Sequence, residues 1–170
     1  MRGSFEIRRA TFTDREAIGR IWQELMAFHA DLDPEAFELR DDALSIWLDA
    51  LDKWTEDPER IVLVADAGTE LVGYTIGKHD EGPPVYRRRK HGTICDTCVT
   101  RNWRRRGVGH ALVVALLKWF RENGLTEVHL GAAACNPVSN AFWRKMGFHP
   151  HMTQMRRHIT TSRSPTDQQR

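Results

Sequence analysis

The stretch Val99-Thr-Arg-Asn-Trp-Arg104-Arg105-Arg106-Gly107-Val108-Gly109-His110 constrains this chain more than any other. An extended apolar segment leads into it and a strongly apolar helical segment leaves it, so three arginines and two glycines crowd the junction of a strand and a helix. Glycine lets the backbone turn tightly and leaves amide N–H groups uncovered, while a helix start adds the positive end of its dipole. Such a junction is a cradle for phosphate, and its charge fits a diphosphate. A dinucleotide fingerprint would need a third glycine where Leu112 stands, and a P-loop would need Gly-Lys-Ser/Thr, which does not occur. The plainer reading is a solvated basic turn whose glycines only start a helix.

At 170 residues the chain fits a single domain with a sizeable core, expected over residues 1–160 and followed by a polar, disordered tail over 161–170. No apolar run approaches the roughly 18 residues that span a bilayer, and Met1 to Phe5 lacks the apolar region of a signal peptide. The expectation is a cytoplasmic protein without a membrane partner. Three cysteines do not make a disulfide framework.

The net charge of +2 hides an asymmetry. From Asp31 to Glu59 there are 11 acidic residues against two basic ones, and from Arg87 to Arg106 eight Lys/Arg against one acid, Asp96. One region favours cations and the other anions, unless both are simply solvated faces.

Periodicity orders the elements. Phe5–Ala10 alternates as a strand, and Thr13-Asp-Arg-Glu16 reads as a capping box ahead of a helix carrying Ile18, Ile21, Trp22 and Leu25. A loop is expected over 28–34, then a second helix with Leu44, Trp47, Leu48 and Leu51 on one stripe. Residues 60–65 and 71–76 read as a hairpin, 78–91 as a long mobile loop, and 93–100 as the next strand. A buried helix over 108–120 follows, then a strand over 126–130, a helix opened by Asn136-Pro137, and a last strand over 152–159. The spacing predicts that Trp22, Trp47, Trp54 and Trp119 belong to the core.

The spacing Arg104-x-x-Gly107-x-Gly109 resembles the Gln/Arg-x-x-Gly-x-Gly/Ala signature of the GNAT superfamily of acyl-CoA-dependent N-acetyltransferases. Asn136-Pro-Val-Ser-Asn-Ala141-Phe142-Trp143-Arg-Lys145-Met-Gly147-Phe148 resembles that superfamily's second signature, with one or two positions shifted. The resemblance reaches from residue 5 to about 159. It implies an α/β, GNAT-like domain: a central mixed, mostly antiparallel, splayed sheet with helices on both faces.

It also implies acetyl-CoA as co-substrate. Thr97, Cys98 and Val99 match the strand whose exposed amides hold the pantetheine arm, and an amide near Cys98 would polarise the thioester carbonyl. Arg104, Arg105, Arg106, Gly107, Val108, Gly109 and His110 match the pyrophosphate loop, and Asn136 matches the asparagine near the acyl group. Trp143 stands where the family often places a tyrosine acid, and Gly131 stands where some relatives carry a glutamate base. His29, Asp31 and Asp33 fall in the region that borders the family's acceptor site, although His29 also suits a helix C-terminus. Relatives are often homodimers.

The remaining candidate for a base is Asp96, a lone carboxylate in an apolar strand; the alternative is a structural aspartate bonded to backbone or to an arginine. Alternation puts Asp96 and Cys98 on one face unless a bulge intervenes. Cys95-Asp-Thr-Cys98 has redox or zinc spacing but lacks a second ligand pair and lies in a strand, so no metal site is expected, and an acyl-cysteine at Cys98 is a distant second route. The expected activity is acetyl transfer to a primary amine of a small molecule, in preference to a peptide or protein amine, by direct attack through a tetrahedral intermediate. The alternatives are a silent CoA-binding sensory module and a nucleic-acid binder, the latter opposed by a pI near 8.6 and the lack of interleaved aromatics.

Overall fold

The computed structural model describes residues 4–87 and 89–159. The expected tail over 161–170 lies outside them. The elements are β1 (Glu6–Arg9), α1 (Arg15–Leu32), α2 (Ala43–Glu56), β2 (Arg60–Asp66), β3 (Leu71–Glu81), β4 (Lys90–Val99), α3 (Val108–Glu122), β5 (Val128–Leu130) and α4 (Pro137–Lys145). The strands form one sheet in chain order, antiparallel from β1 to β4 and parallel between β4 and β5.

Strand alternation divides the core into two layers. Ile18, Ile21, Trp22, Leu48 and Leu51 of α1 and α2 pack against Val62, Val64, Tyr74, Ile76 and Cys98 on one face. Leu112, Val113, Leu116, Trp119 and Phe120 of α3 cover Ile61, Leu63, Val72 and Ile94 on the other. At Gly92 a Cβ would stand 2.6 Å from the Phe120 ring, so the absence of a side chain there lets α3 lie close to the sheet.

Two features set the sheet's geometry near the junction. Ile76 pairs with Asp96 and Gly77 with Ile94, leaving Cys95 as the extra residue of a bulge. The β4–β5 ladder runs only from Gly92–Val128 to Ile94–Leu130. Beyond it, Cys95–Val99 has no partner strand on that side among the described residues, which is the splay the resemblance implies.

Several expectations are corrected. Helix α1 continues to Leu32, because nothing before Pro34 stops it; Asp33, preceding the proline, leaves the helical region at φ −151° and ψ 86°. The capping box is Thr11 with Asp14, whose carboxylate accepts from the Thr11 N–H at 2.7 Å and its hydroxyl at 3.0 Å. The expected long loop over 78–91 shortens because β3 extends to Glu81 and β4 begins at Lys90, the two tied by Arg89–Glu81 and by the Thr93 hydroxyl on Asp80. Residues 152–159 form no strand; they are exposed, attached by Arg156–Asp33 and His158–Glu35 instead of a ladder.

Candidate active site

The junction after β4 has the conformation its glycines allow. Arg105 and Gly107 both adopt positive φ, 63° and 90°, and Gly107 precedes the first turn of α3. The first backbone bond into the helix is Ala111 N–H to Gly107 C=O at 3.0 Å. The six preceding amides, Arg105 to His110, donate to no protein group among the described residues. Arg104, Arg105, Arg106 and His110 are exposed around them, while Val108 is buried and anchors the turn. Arg104 also donates from Nε to the Val99 carbonyl at 3.0 Å and lies over the Phe28 ring, fixing the loop to β4 and α1. A run of free amides at a positive helix end, ringed by guanidinium groups, fits a diphosphate.

The strand leading there sorts its side chains by face. Since the bulge falls at Cys95, Asp96 and Cys98 keep a common face, toward α1 and α2, and Thr97 points the other way. Thr75 donates to the Asp96 carbonyl at 2.9 Å, so Thr97 is the donor in the 2.7 Å contact between the two hydroxyls. That pair locks β4 to β3 beside the splay.

Asp96 is half-buried and has no cationic partner among the described residues. The Tyr74 hydroxyl, fully buried, donates to its Oδ2 at 3.4 Å. Burial pushes the carboxyl up to about 6, and hydrogen bonding from Tyr74 and from the Trp47 indole moderates the rise. The same burial, with the negative charge of Asp96 next, raises the Tyr74 phenol well above its usual range. Trp47 stacks on Trp22 at 5.1 Å between ring centroids and meets Tyr74 edge-on at 6.0 Å. Trp22 and Trp119 are core, as the spacing predicts, but Trp47 and Trp54 are only partly buried. Sequence reasoning missed Tyr74 and Trp47 as neighbours of Asp96, because an apolar strand and an apolar helix stripe give no sign of what they face across the fold.

Cys98 is buried with its Sγ toward the Ile21 carbonyl at 3.7 Å, and burial pushes its thiol up to about 12. It is a thiol at neutral pH. Cys95, Cys98 and Cys135 are all free, and no group of metal-ligating side chains stands together among the described residues.

Asn136 is buried and caps α4, its Oδ1 accepting from the Ser139 N–H at 3.0 Å, so only its Nδ2 remains as a donor. Trp143 is wedged edge-on between Phe142 and Phe148 and packs on the α3 core layer. Gly109 lies within van der Waals reach of Phe142, which joins the two signature segments in space.

His29, Asp31 and Asp33 do not converge. His29 stacks on Phe37 with its Nδ1 buried and unpartnered, and burial lowers its pKa, so it stays neutral at pH 7. Asp31 is exposed on the last turn of α1. Asp33 spends one oxygen on the Ala36 N–H and the other on Arg156. A cleft of about 420 Å³ between α1 and the β2–β3 turn lies apart from Asp96; its Arg8 is already held by Asp14 and Asp66.

The sequence profile of the acetyltransferase (GNAT) family matches residues 22–148, three quarters of the chain, and the protein belongs to that family. It is an acetyl-CoA-dependent acyltransferase by that membership. No curated protein matches the sequence significantly. Among solved structures, a tetramutant of the BH1408 protein from Bacillus halodurans is similar with a TM-score of 0.83 at 20% identity, over 91% of this chain and 99% of that one. The aminoglycoside 6'-N-acetyltransferase AAC(6')-IG from Acinetobacter haemolyticus is similar with a TM-score of 0.72 at 16% identity, over 92% and 99%. The aminoglycoside N-acetyltransferase AAC(6')-Iy, solved with CoA, is similar with a TM-score of 0.71 at 17% identity, over 93% and 96%. At these identities the likeness shows the fold.

Proposed function

We propose that the protein transfers an acetyl group from acetyl-CoA to a primary amine of a small molecule by direct attack, with Asp96 as the group that takes the amine's proton through a water. The observation that carries this reading is the carboxylate of Asp96, half-buried, without a cationic partner among the described residues, on the strand that leads to the free amides of Arg105 to His110. On this reading Arg104 to His110 hold the diphosphate, the free edge at Thr97, Cys98 and Val99 takes the pantetheine arm, and the Asn136 Nδ2 donates near the acyl end.

The proton ledger closes with these groups. The ammonium gives one proton to Asp96, and the freed lone pair forms the C–N bond while the carbonyl becomes an oxyanion. Collapse of that tetrahedral intermediate breaks the C–S bond, and the sulfur leaves as a thiolate. The second nitrogen proton neutralises the thiolate, and Asp96 releases its proton to solvent. Trp143 takes no part as an acid, since an indole N–H does not ionise at neutral pH.

Energetics allow it. A carboxyl near 6 accepting from an amine near 10 faces a cost of about 6 kcal/mol. Orientation of amine and thioester in attack geometry removes roughly 7–11 kcal/mol of barrier. A raised carboxyl lowers that proton-transfer cost while staying ionised at pH 7.

Calorimetry with acetyl-CoA, followed by a free-thiol assay across an amine panel, tests the reading. Heat on binding and thiol release that depends on an amine are expected; no heat would sink it. A homodimer, expected from the resemblance, is open to sedimentation analysis.

A further inference from the structure

Of the polar residues described, Asp14, Asn136 and Thr75 are buried. Asp14 is held by Arg8, and Asn136 caps α4. Thr75 serves neither purpose. It stands in the buried run Val72–Ile76 of β3 with none of its surface exposed, where valine would fill the same space without a hydroxyl to satisfy. Both bonds of that hydroxyl go to β4: it donates to the Asp96 carbonyl at 2.9 Å and accepts from the Thr97 hydroxyl at 2.7 Å.

These bonds lie beside the bulge at Cys95, whose extra residue could be absorbed by a shift of either half of β4. Upstream the register is held on both sides. Ile94 pairs with Gly77 and with Leu130, and Gly92 lies against the Phe120 ring. Downstream, Asp96–Val99 pairs with β3 alone among the described residues. Relaxing the bulge would therefore slide the downstream half by one residue, set Asp96 opposite Thr75 and turn its carboxylate toward α3. Thr75 and Thr97 stand directly opposite in the register observed, and that slip would carry Thr97 to the other face and break the hydroxyl pair.

We propose that Thr75 is a positioning residue for Asp96: its hydroxyl, shared between the Asp96 carbonyl and the Thr97 hydroxyl, fixes the register that keeps the Asp96 side chain toward α1 and α2. Thr75 is enclosed and touches neither substrate. Around the carboxylate it positions are the Tyr74 hydroxyl of β3, the Trp47 indole of α2 and the Cys95 and Cys98 thiols of its own strand, and no charged group of α1 or α2 among the described residues bears on it. This deepens the acetyltransferase reading, in which Asp96 is the base, and rests on it.

Thr75→Val keeps the branched shape and removes the hydroxyl, whereas Thr75→Ser keeps the hydroxyl and removes a methyl group. In the full-length protein the Asp96 carboxyl is titrated by NMR of its side-chain carbon, assigned with Asp96→Asn, and turnover is measured with acetyl-CoA and an amine panel. In the parent and in Thr75→Ser the carboxyl titrates near 6. In Thr75→Val the midpoint falls by about one unit as the loosened strand lets water reach the carboxylate, and kcat drops about tenfold with KM for acetyl-CoA held within about twofold. Thr75→Ala also lacks the hydroxyl and gives the same reading if valine is not accommodated. A midpoint that stays near 6 without the hydroxyl, or that moves equally in Thr75→Ser, overturns the inference and leaves acetyl transfer standing. If no amine releases thiol, the enzyme reading fails instead, and the carboxyl titration still decides whether Thr75 positions Asp96.

Discussion

Tyr74 and Asp96 meet diagonally across the β3–β4 ladder, the phenol donating to the carboxylate at 3.4 Å although each is in register with a different residue, Cys98 and Ile76. The contact joins a fully buried hydroxyl to a carboxylate at the edge of the core. It fixes where that carboxylate points without supplying the charge that would silence it as a base.

Activity should therefore rise with pH through the ionisation of Asp96, placed at about 6. The Asp96→Asn variant should lose about 10²- to 10³-fold in kcat and lose that acid limb. A pH–rate profile of both proteins checks it; an unchanged limb in the variant removes Asp96 from the chemistry.

The same substitution should stabilise the protein. A carboxyl raised from 3.8 to about 6 in the folded state favours folding below pH 4, and that contribution disappears as pH climbs past 6. At pH 7.5 Asp96→Asn relieves a cost of at most about 3 kcal/mol, so its melting temperature should exceed the parent's. At pH 4 the two should melt together.

Asp14 predicts the opposite sign. Arg8 donates to both of its oxygens, at 2.7 and 2.9 Å, and these bonds hold its carboxyl at about 2. Its stabilisation is complete above pH 4 and disappears as pH falls toward 2. Asp14→Ala should cost about 2 kcal/mol at pH 7, and the difference from the parent in urea denaturation should vanish near pH 2.

Gly107 is exposed, with φ of 90° and open space where a Cβ would stand. Alanine there meets no clash and must only adopt a left-handed conformation, at roughly 1–2 kcal/mol. Gly107→Ala should raise KM for acetyl-CoA by about tenfold, in proportion to that strain, while the amine KM stays put. Gly92→Ala provides the contrast. Its Cβ would press on Phe120, costing about 1–3 kcal/mol of stability, at roughly 2–4 °C of melting temperature per kcal/mol.

Cys98 should resist alkylation at pH 7.5, since burial keeps its thiol protonated to about 12. Mass spectrometry after iodoacetamide treatment of the native protein should find label on the exposed Cys135 and none on Cys98. Acetyl carried on Cys98 during turnover would restore the acyl-cysteine route.

The sequence by itself determined the parts of this protein that are local in the chain. The glycine spacing at 107 and 109 dictates how the backbone turns into α3, and the apolar periods dictate which residues become strands and helices, because both depend on neighbours a few positions away. Fixed only in the tertiary structure were the bulge at Cys95 that sets the face of Asp96, the approach of Tyr74 and Trp47 to it, and the pairing of Asp33, Asp49, Asp52 and Asp57 with arginines. Periodicity also misjudged residues 152–159, since an alternating segment becomes a strand only where an edge receives it, and here ion pairs attach it elsewhere. Register, cross-layer contact and charge neutralisation are properties of which surfaces meet, and no local pattern encodes them.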